Sequence, residues 1–295
     1  MWIIEPDLCL LTFHAHPDDE SSKGPATVAR YHGEGVRTIL VCATGGEEGD
    51  ILNPAMDTPE VRADLAGVRR AELAAAAAVI GYDEVVMLGY RDSGMADTPA
   101  NSNPGCFARI PLAEAVGALV AVMRRTRPQV VVTYGDDHRG YPHPDHIRTH
   151  EVGLAAFGAA GDPTAFPEAG PHWQPLKLYY TAWSRTRMLA THEKYVELGM
   201  ESPFGEEVLD RWRGGEEAIT TQLDISAWAD VRSEALRAHR TQVDPTSSWW
   251  FGLPPEVART VHPFEDYTLA RDLTGGTVQA LGLEDDLFAG VRPSG

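Results

Sequence analysis

The stretch LCLLTFHAHPDDE, residues 8–20, begins as an apolar run and ends with two histidines and three carboxylates within seven residues. The apolar part has the length of a buried strand and no helical period. In open α/β sheets ligands bind in the crevice beyond the carboxyl ends of the strands, so the position of HAHPDDE predicts a site at such an edge.

Working outward, short β-branched runs alternate with helical patterns, as a parallel sheet with crossover helices requires. Strands are expected at 8–14, 37–43, 84–89 and 129–134, with helices at 21–34, 60–80 and 110–126. The second helix carries VRRAELAAAAAVIG, whose alanines favour helix and whose Gly81 closes it. The expected fold is α/β and Rossmann-like, with a mostly parallel sheet flanked by helices and a smaller mixed α/β C-terminal part. From residue 160 the composition shifts, and GDPTAFPEAGPHWQP reads as a loop. The division expected is 1–160 for the metal-binding core and 161–295 for a C-terminal part covering the active site. In that part strands are expected at 176–183 and 219–225, and helices at 185–198, 226–242 and 264–272.

A chain of 295 residues with 43% hydrophobic content can bury a large core. Its 43 acidic against 25 basic residues leave a formal charge of −18, which disfavours nucleic acid and anionic membranes as partners. The N-terminus lacks a basic region followed by a small-residue cleavage site, and no apolar run reaches the roughly 18–20 residues of a membrane span. A cytoplasmic location is expected. Cys9, Cys42 and Cys106 are odd in number and widely spaced, which points to packed or free thiols.

The strand at 129–134 leads into GDDHRGYPHPDHIRTH, residues 135–150, a second loop crowded with histidine and aspartate. Two such loops after parallel strands face one crevice. His16 and Asp19, three apart at a helix entry, can turn toward one point, and His146 can supply a third ligand. Two imidazoles and one carboxylate leave positions open for water and substrate, as catalytic zinc sites and non-haem iron(II) sites do. Asp18 must point elsewhere than Asp19, which suits a general base. His143 can stabilise charge or protonate a leaving group, and Asp145 can orient an imidazole. His14 reads as a packed strand-end residue, and His138 and His150 as members of a solvated face. TGGEEGD (44–50) has the wrong spacing for a dinucleotide fingerprint, and Glu47 and Glu48 would repel a pyrophosphate. It reads as a flexible loop lining the crevice. Asp92, after the third strand, is placed to bond a polar ligand such as a sugar, and His239 and Gln242 can reach back over the site.

Together, AHPDDE at 15–20 and HPDH at 143–146 resemble the paired signatures of the LmbE-like (PIG-L) metal-dependent deacetylases, which cleave N-acyl groups from glucosamine-type sugars. TGGEEGDILNPAMD, YRDSGM, PGCFARI, WQPLKLYY, ESPFG, AHRTQVDP and DDLFAG extend the likeness over nearly the whole chain and toward the thiol-conjugate amidases of that family. The resemblance implies a Zn2+ or Fe2+ ion on His16, Asp19 and His146, with Asp18 as base and His143 as acid or electrostatic partner. It implies that Tyr141 is a mobile residue on the oxyanion, that Arg69 and Asp92 hold the sugar, and that Lys23 marks the amidases, with Glu47 and Gln242 as further substrate contacts. The implied reaction is hydrolysis of the amide between glucosamine and an acylated cysteine of a small thiol-sugar conjugate, the alternative being an N-acetyl-sugar deacetylase. Gly46-Glu47-Glu48-Gly49 stands where the family more often has G-E-R-G. An oxidoreductase lacks its glycine fingerprint here, and a mere binding module would not need Asp18.

Overall fold

A computed structural model describes residues 8–136, 141–211, 218–275 and 282–292. The apolar run that opens the chain is β1 (Cys9–His14), buried along its whole length. It pairs in parallel with β2 (Arg37–Thr44) on one side and β4 (Val130–Tyr134) on the other. β3 (Glu84–Tyr90) extends the sheet beyond β2, and β5 (Lys177–Ala182) lies parallel beyond β4. Two antiparallel strands complete the far edge, β7 (Phe264–Asp272) against β5 and β6 (Thr221–Asp224) against β7. The order of the seven strands is β3-β2-β1-β4-β5-β7-β6. The chain therefore reverses direction across the sheet between β1 and β4, the topological switch where an α/β sheet opens a crevice.

Alternation along β1 sends Leu11 and Phe13 to one face and Leu10 to the other. On the first face they pack with α5 (Leu112–Thr126) and α6 (Pro144–Gly161) through residues such as Leu119, Met123 and Val152. On the second they meet Val28 and Tyr31 of α2 (Pro25–Gly33), Ile80 of α4 (Leu65–Ile80) and Ala235 of α9 (Val231–Ala238). Burial on both faces explains why these strands read as continuous apolar runs rather than as alternating ones.

Several expected elements are interrupted. The helix expected at 21–34 is broken into α1 (Asp19–Ser22) and α2 by Gly24-Pro25, with Gly24 at φ +87°. A Cβ there would stand 2.6 Å from the Tyr267 hydroxyl. The helix expected at 60–80 is divided into α3 (Pro59–Ala63) and α4 at Asp64, whose side chain caps α4 by accepting from the Gly67 N–H at 3.1 Å. That expected at 226–242 shortens to α9.

One expectation is corrected: FEDYTLARD, 264–272, is not a helix but strand β7. Its period of two was hidden because polar side chains fill buried places. Glu265 points toward α2, whose first turn donates from Thr27 N–H at 2.9 Å, a favourable place for a carboxylate. Asp266, on the opposite face, accepts from Ser184, from Gln222 Nε2 at 2.9 Å and from His262 Nε2 at 3.1 Å. Further along, Tyr267 and Leu269 pack in the core. All three cysteines are free and buried. Among the described residues no helix is long and apolar enough to cross a membrane.

Candidate metal and active site

The crevice at the switch point is built from the segments leaving β1 and β4. After His14 the chain turns through Ala15-His16-Pro17-Asp18 into α1. Asp18 adopts a φ of +117°, a conformation costing a non-glycine residue about 1–3 kcal/mol unless its surroundings hold it. They do: its N–H donates to Glu20 Oε2 at 2.9 Å, and its Oδ2 accepts from Arg69 Nη2 at 3.0 Å. Arg69, buried on α4, also donates to the carbonyls of Pro17 and Gly46. Gly46 has φ +67°, and a Cβ on it would fall 2.3 Å from the Arg69 guanidinium carbon, so only glycine lets this arginine through.

His16, Asp19 and His146 present one ligand atom each, all mutually within 4.8 Å, and all three side chains are buried. His146 stands in the first turn of α6, and its Nε2 lies 3.4 Å from Asp19 Oδ1. His16 Nδ1 lies 3.4 Å from Asp19 Oδ2. A second set shares His16 and adds Asp92 and His143. His16 is thus the hinge of a crowded donor cluster, its Nε2 at 3.2 Å from Asp145 Oδ2 and 3.6 Å from Asp92 Oδ1.

Charge decides how these groups titrate. Burial works against a proton on His16, but hydrogen bonds to Asp145, Asp19 and Asp92 carry the ring well above its ordinary value. Burial likewise opposes the charge on Asp19, yet Lys23 and His146 hold its carboxyl well below the usual range. Asp18 moves the other way: burial raises it, and Arg69 offsets only part of that. Burial pushes His146 down to about 3, and burial aided by the charge on His16 pushes His143 down to about 4. His143 caps α6, its Nδ1 accepting from the Asp145 N–H at 3.1 Å, so the neutral ring carries its proton on Nε2.

The remaining predicted residues fall around this cluster. Asp145 is fully buried and accepts from Ser93 N–H at 2.9 Å as well as from the Ser93 hydroxyl. Asp92 is buried and accepts from Gly94 N–H at 2.8 Å and Glu48 N–H at 3.2 Å. Glu47 accepts from the Asp92 N–H at 3.1 Å. Gln242 donates to the carbonyl of Asp50 at 3.1 Å. These two residues tie down the loop after β2, and with Arg69 they make a fixed wall of what the sequence suggests is a flexible loop. Lys23 bonds Asp19 and lies over the Tyr134 ring, 5.3 Å from its centroid. Tyr141 is more than half exposed, with its ring 5.8 Å from that of His143 and 5.1 Å from that of His146. His14 is buried, 3.3 Å from the Tyr134 hydroxyl. His150 bonds the Tyr134 carbonyl at 3.0 Å, and His138 lies outside the described residues.

Sequence reasoning assigned no role to Ser93, Tyr134 or Glu20. Tyr134 Oη accepts from the Ala15 N–H at 3.0 Å, linking the two loops. Glu20 is buried against His239, Oε1 to Nε2 2.6 Å, which brings residues 219 apart into one cluster. The reach of His239 toward the site was legible; its partner was not, because Glu20 comes after the denser HPDD and looks like a helix-start residue.

Comparison with known proteins places the whole chain rather than its single residues. The pattern of the PIG-L family, GlcNAc-PI de-N-acetylase, matches residues 11–157, from β1 into α6. A mycothiol S-conjugate amidase of Streptomyces coelicolor is 42% identical over 294 residues, 97% of this chain and 98% of its own. A 1D-myo-inositol 2-acetamido-2-deoxy-alpha-D-glucopyranoside deacetylase of Geodermatophilus obscurus is 41% identical over 295 residues, 97% and 99% of the two chains. The solved N,N'-diacetylchitobiose deacetylase of Pyrococcus horikoshii superposes with a TM-score of 0.60 at 17% identity, covering 92% of this chain and 87% of that one, and shares the fold. Identity above two fifths along the whole chain is more than a common fold requires, and the protein is a member of the PIG-L (LmbE-like) family of hydrolytic deacetylases and amidases.

Proposed function

We propose that this chain hydrolyses the amide between a glucosamine amine and an acylated cysteine whose sulfur carries an adduct, using a divalent cation held by His16, Asp19 and His146. The observation that carries the reading is the division between adjacent carboxylates: Asp19 belongs to the ligand set, whereas Asp18 is turned away from it and held by Arg69 at 3.0 Å. The donor set suits a cation, since a buried cluster with two imidazoles and an excess of carboxylate is favourable only when positive charge enters it. Two nitrogens and one oxygen match zinc, with iron(II) second. Such a cation polarises a carbonyl and acidifies water.

The residues of the chain do the rest. Asp18 accepts the proton of the attacking water, its carboxylate held by Arg69 and its backbone N–H by Glu20. His143, neutral and protonated on Nε2, donates a hydrogen bond to the developing oxyanion, the Tyr141 hydroxyl donates beside it, and the proton that Asp18 took from water passes to the departing amine. Asp145, itself held by Ser93, fixes the His16 ring, a duty that buried acceptors commonly perform for metal-ligating histidines. Asp92 and Arg69 face the sugar, and the C-terminal part, residues 161–295, closes over the site through His239 and Gln242. The setting is cytoplasmic and the substrate a small thiol-sugar conjugate.

A second reading, removal of an acetyl group from an N-acetylglucosaminyl inositol, uses the same catalytic residues. The deacetylase of Geodermatophilus obscurus, at 41% identity, favours it almost as strongly as the amidase at 42% favours the first. Lys23 in the wall of the site tips the choice toward the conjugate, because an acetyl group offers such a cation nothing to contact. The test is to strip the purified protein with a chelator, restore Zn2+ or Fe2+, and incubate it with S-alkylated thiol-sugar conjugates and with the N-acetyl sugar under mass detection. Metal-restored cleavage of the conjugates, faster than that of the acetyl sugar, is expected. Cleavage of the acetyl sugar alone overturns the amidase reading.

A further inference from the structure

Lys23, which bonds Asp19, also borders a second opening. Ser22, Lys23 and Gly24 form one wall of a narrow cleft whose other wall includes Trp183, Arg187 and Arg232. The same Trp183, Arg187 and Arg232 also border a cavity of about 340 Å³, whose lining includes Trp249, Trp250 and Phe204. That volume lies at the lower end of what small-ligand pockets offer. The aromatic wall is continuous: the Trp183 ring lies 6.3 Å from that of Trp249 and 5.8 Å from that of Trp250, and Phe204 packs 4.6 Å from Trp249.

The two arginines differ in their state. Arg232 is engaged, donating to Glu265 at 2.7 Å and to the Ser22 carbonyl at 2.9 Å. Arg187, on α7 (Arg185–Glu197), has no side-chain hydrogen bond and no ion pair among the described residues; its guanidinium lies over Trp183, 5.1 Å from the centroid. The nearest acids act on it only through space and are already bonded, Glu265 to Arg232 and the first turn of α2, and Asp266 to Ser184, Gln222 and His262. Burial and the neighbouring Arg232 lower the Arg187 guanidinium to about 9, so a negative group arriving there relieves a strained charge. A half-buried cation with no hydrogen-bonded acid among the described residues, beside Trp183, Trp249 and Trp250 in a cavity whose other lining includes Asp230, Glu234 and Arg237, is complementary to a flat aromatic group that carries a carboxylate.

We propose that this cavity is a second subsite, which receives the substituent on the sulfur of the conjugate and favours an aromatic substituent bearing a carboxylate, the ring against Trp183 and Trp249 and the carboxylate on Arg187. The identification of the guest as a sulfur substituent rests on the amidase reading; the preference of the cavity for an aromatic carboxylate does not.

Two measurements on the full chain separate these claims. In the first, 1-naphthoate and the neutral 1-naphthalenemethanol are titrated calorimetrically into wild type, Arg187→Met and Arg187→Lys, with circular dichroism confirming that the variants fold. Naphthoate affinity falls at least about tenfold in Arg187→Met, the scale of one charge-assisted contact. It is partly retained in Arg187→Lys, while the neutral compound binds both variants as it binds wild type. In the second, kcat/KM is compared for conjugates with S-benzyl and S-(4-carboxybenzyl) groups, and the preference for the carboxylated one shrinks by a similar factor in Arg187→Met. Equal naphthoate affinity in folded wild type and Arg187→Met overturns the subsite, as does an unchanged preference. If wild type cleaves neither conjugate, the amidase reading falls and the naphthoate titration alone decides the cavity.

Discussion

Two buried polar clusters stand at opposite ends of the parallel strands. At the start of β5, Lys177 is fully buried and bonds Glu284, which also accepts from the Tyr179 hydroxyl and from Thr221 Oγ1 at 3.0 Å; Lys177 donates further to the Ala289 carbonyl at 3.2 Å. Here one cation meets one anion and the neighbouring hydroxyls close the set. At the other end, beyond His14 and Tyr134, Asp18 pairs with Arg69, Asp19 with Lys23, and Asp92 and Asp145 both lie against His16. Negative charge is in excess there, and a proton drawn onto His16 is what the protein itself can offer against it. The balanced cluster holds the chain segment around residue 284 to the sheet; the unbalanced one contains the candidate ligand set His16, Asp19 and His146. Buried charge that is left uncompensated in a stable fold marks function, because otherwise its cost has no return.

The largest effects test that imbalance of charge. His16→Ala and His146→Ala are each expected to lose bound metal and hydrolytic activity together; full metal occupancy by elemental analysis in either variant removes that residue from the ligand set. Asp18→Asn is expected to keep its metal while kcat drops by about 10²–10⁴-fold, the usual worth of a general base. Asp19→Asn, one residue away, weakens metal retention itself. If Asp18→Asn instead loses metal and Asp19→Asn keeps it, the two roles are exchanged.

The balanced cluster responds differently. Lys177→Met strands Glu284 without its buried partner and is expected to lower stability by about 3 kcal/mol, read from the denaturant midpoint, with no change in metal content. Pairing it with Glu284→Gln recovers most of the loss. A Lys177→Met protein that lost its metal would mean that the clusters are coupled across the sheet.

The smallest effect concerns the cation nearest the ligands. Because Lys23 bonds Asp19 directly, Lys23→Met is expected to tighten divalent-metal binding by about 1 kcal/mol, roughly fivefold, as a competing charge leaves a partly exposed pair. Weaker metal binding in Lys23→Met would show that the lysine serves to hold Asp19 in position rather than to compete for it.

The order of apolar runs and helical patterns was enough to read the parallel half of the sheet and to put HAHPDDE and PHPDH at strand ends, because strand period, helix propensity and the crevice rule are local properties. The division between Asp18 and Asp19 was legible for a similar reason, since neighbours in a tight loop cannot both point the same way. Packing decided the rest. Glu265 and Asp266 occupy buried places in β7 only because α2 and the Ser184–His262 group come to meet them, so the strand carries no apolar alternation to read. Asp92 reaches His16, and Glu20 reaches His239, through contacts between segments that nothing in the linear spacing relates. That Arg187 has no hydrogen-bonded acid among the described residues is likewise a tertiary fact, since Trp183 lies against its guanidinium and the nearest acids are already engaged. A sequence states which groups a chain carries; which of them end buried, paired or left waiting depends on the folded surfaces that surround them.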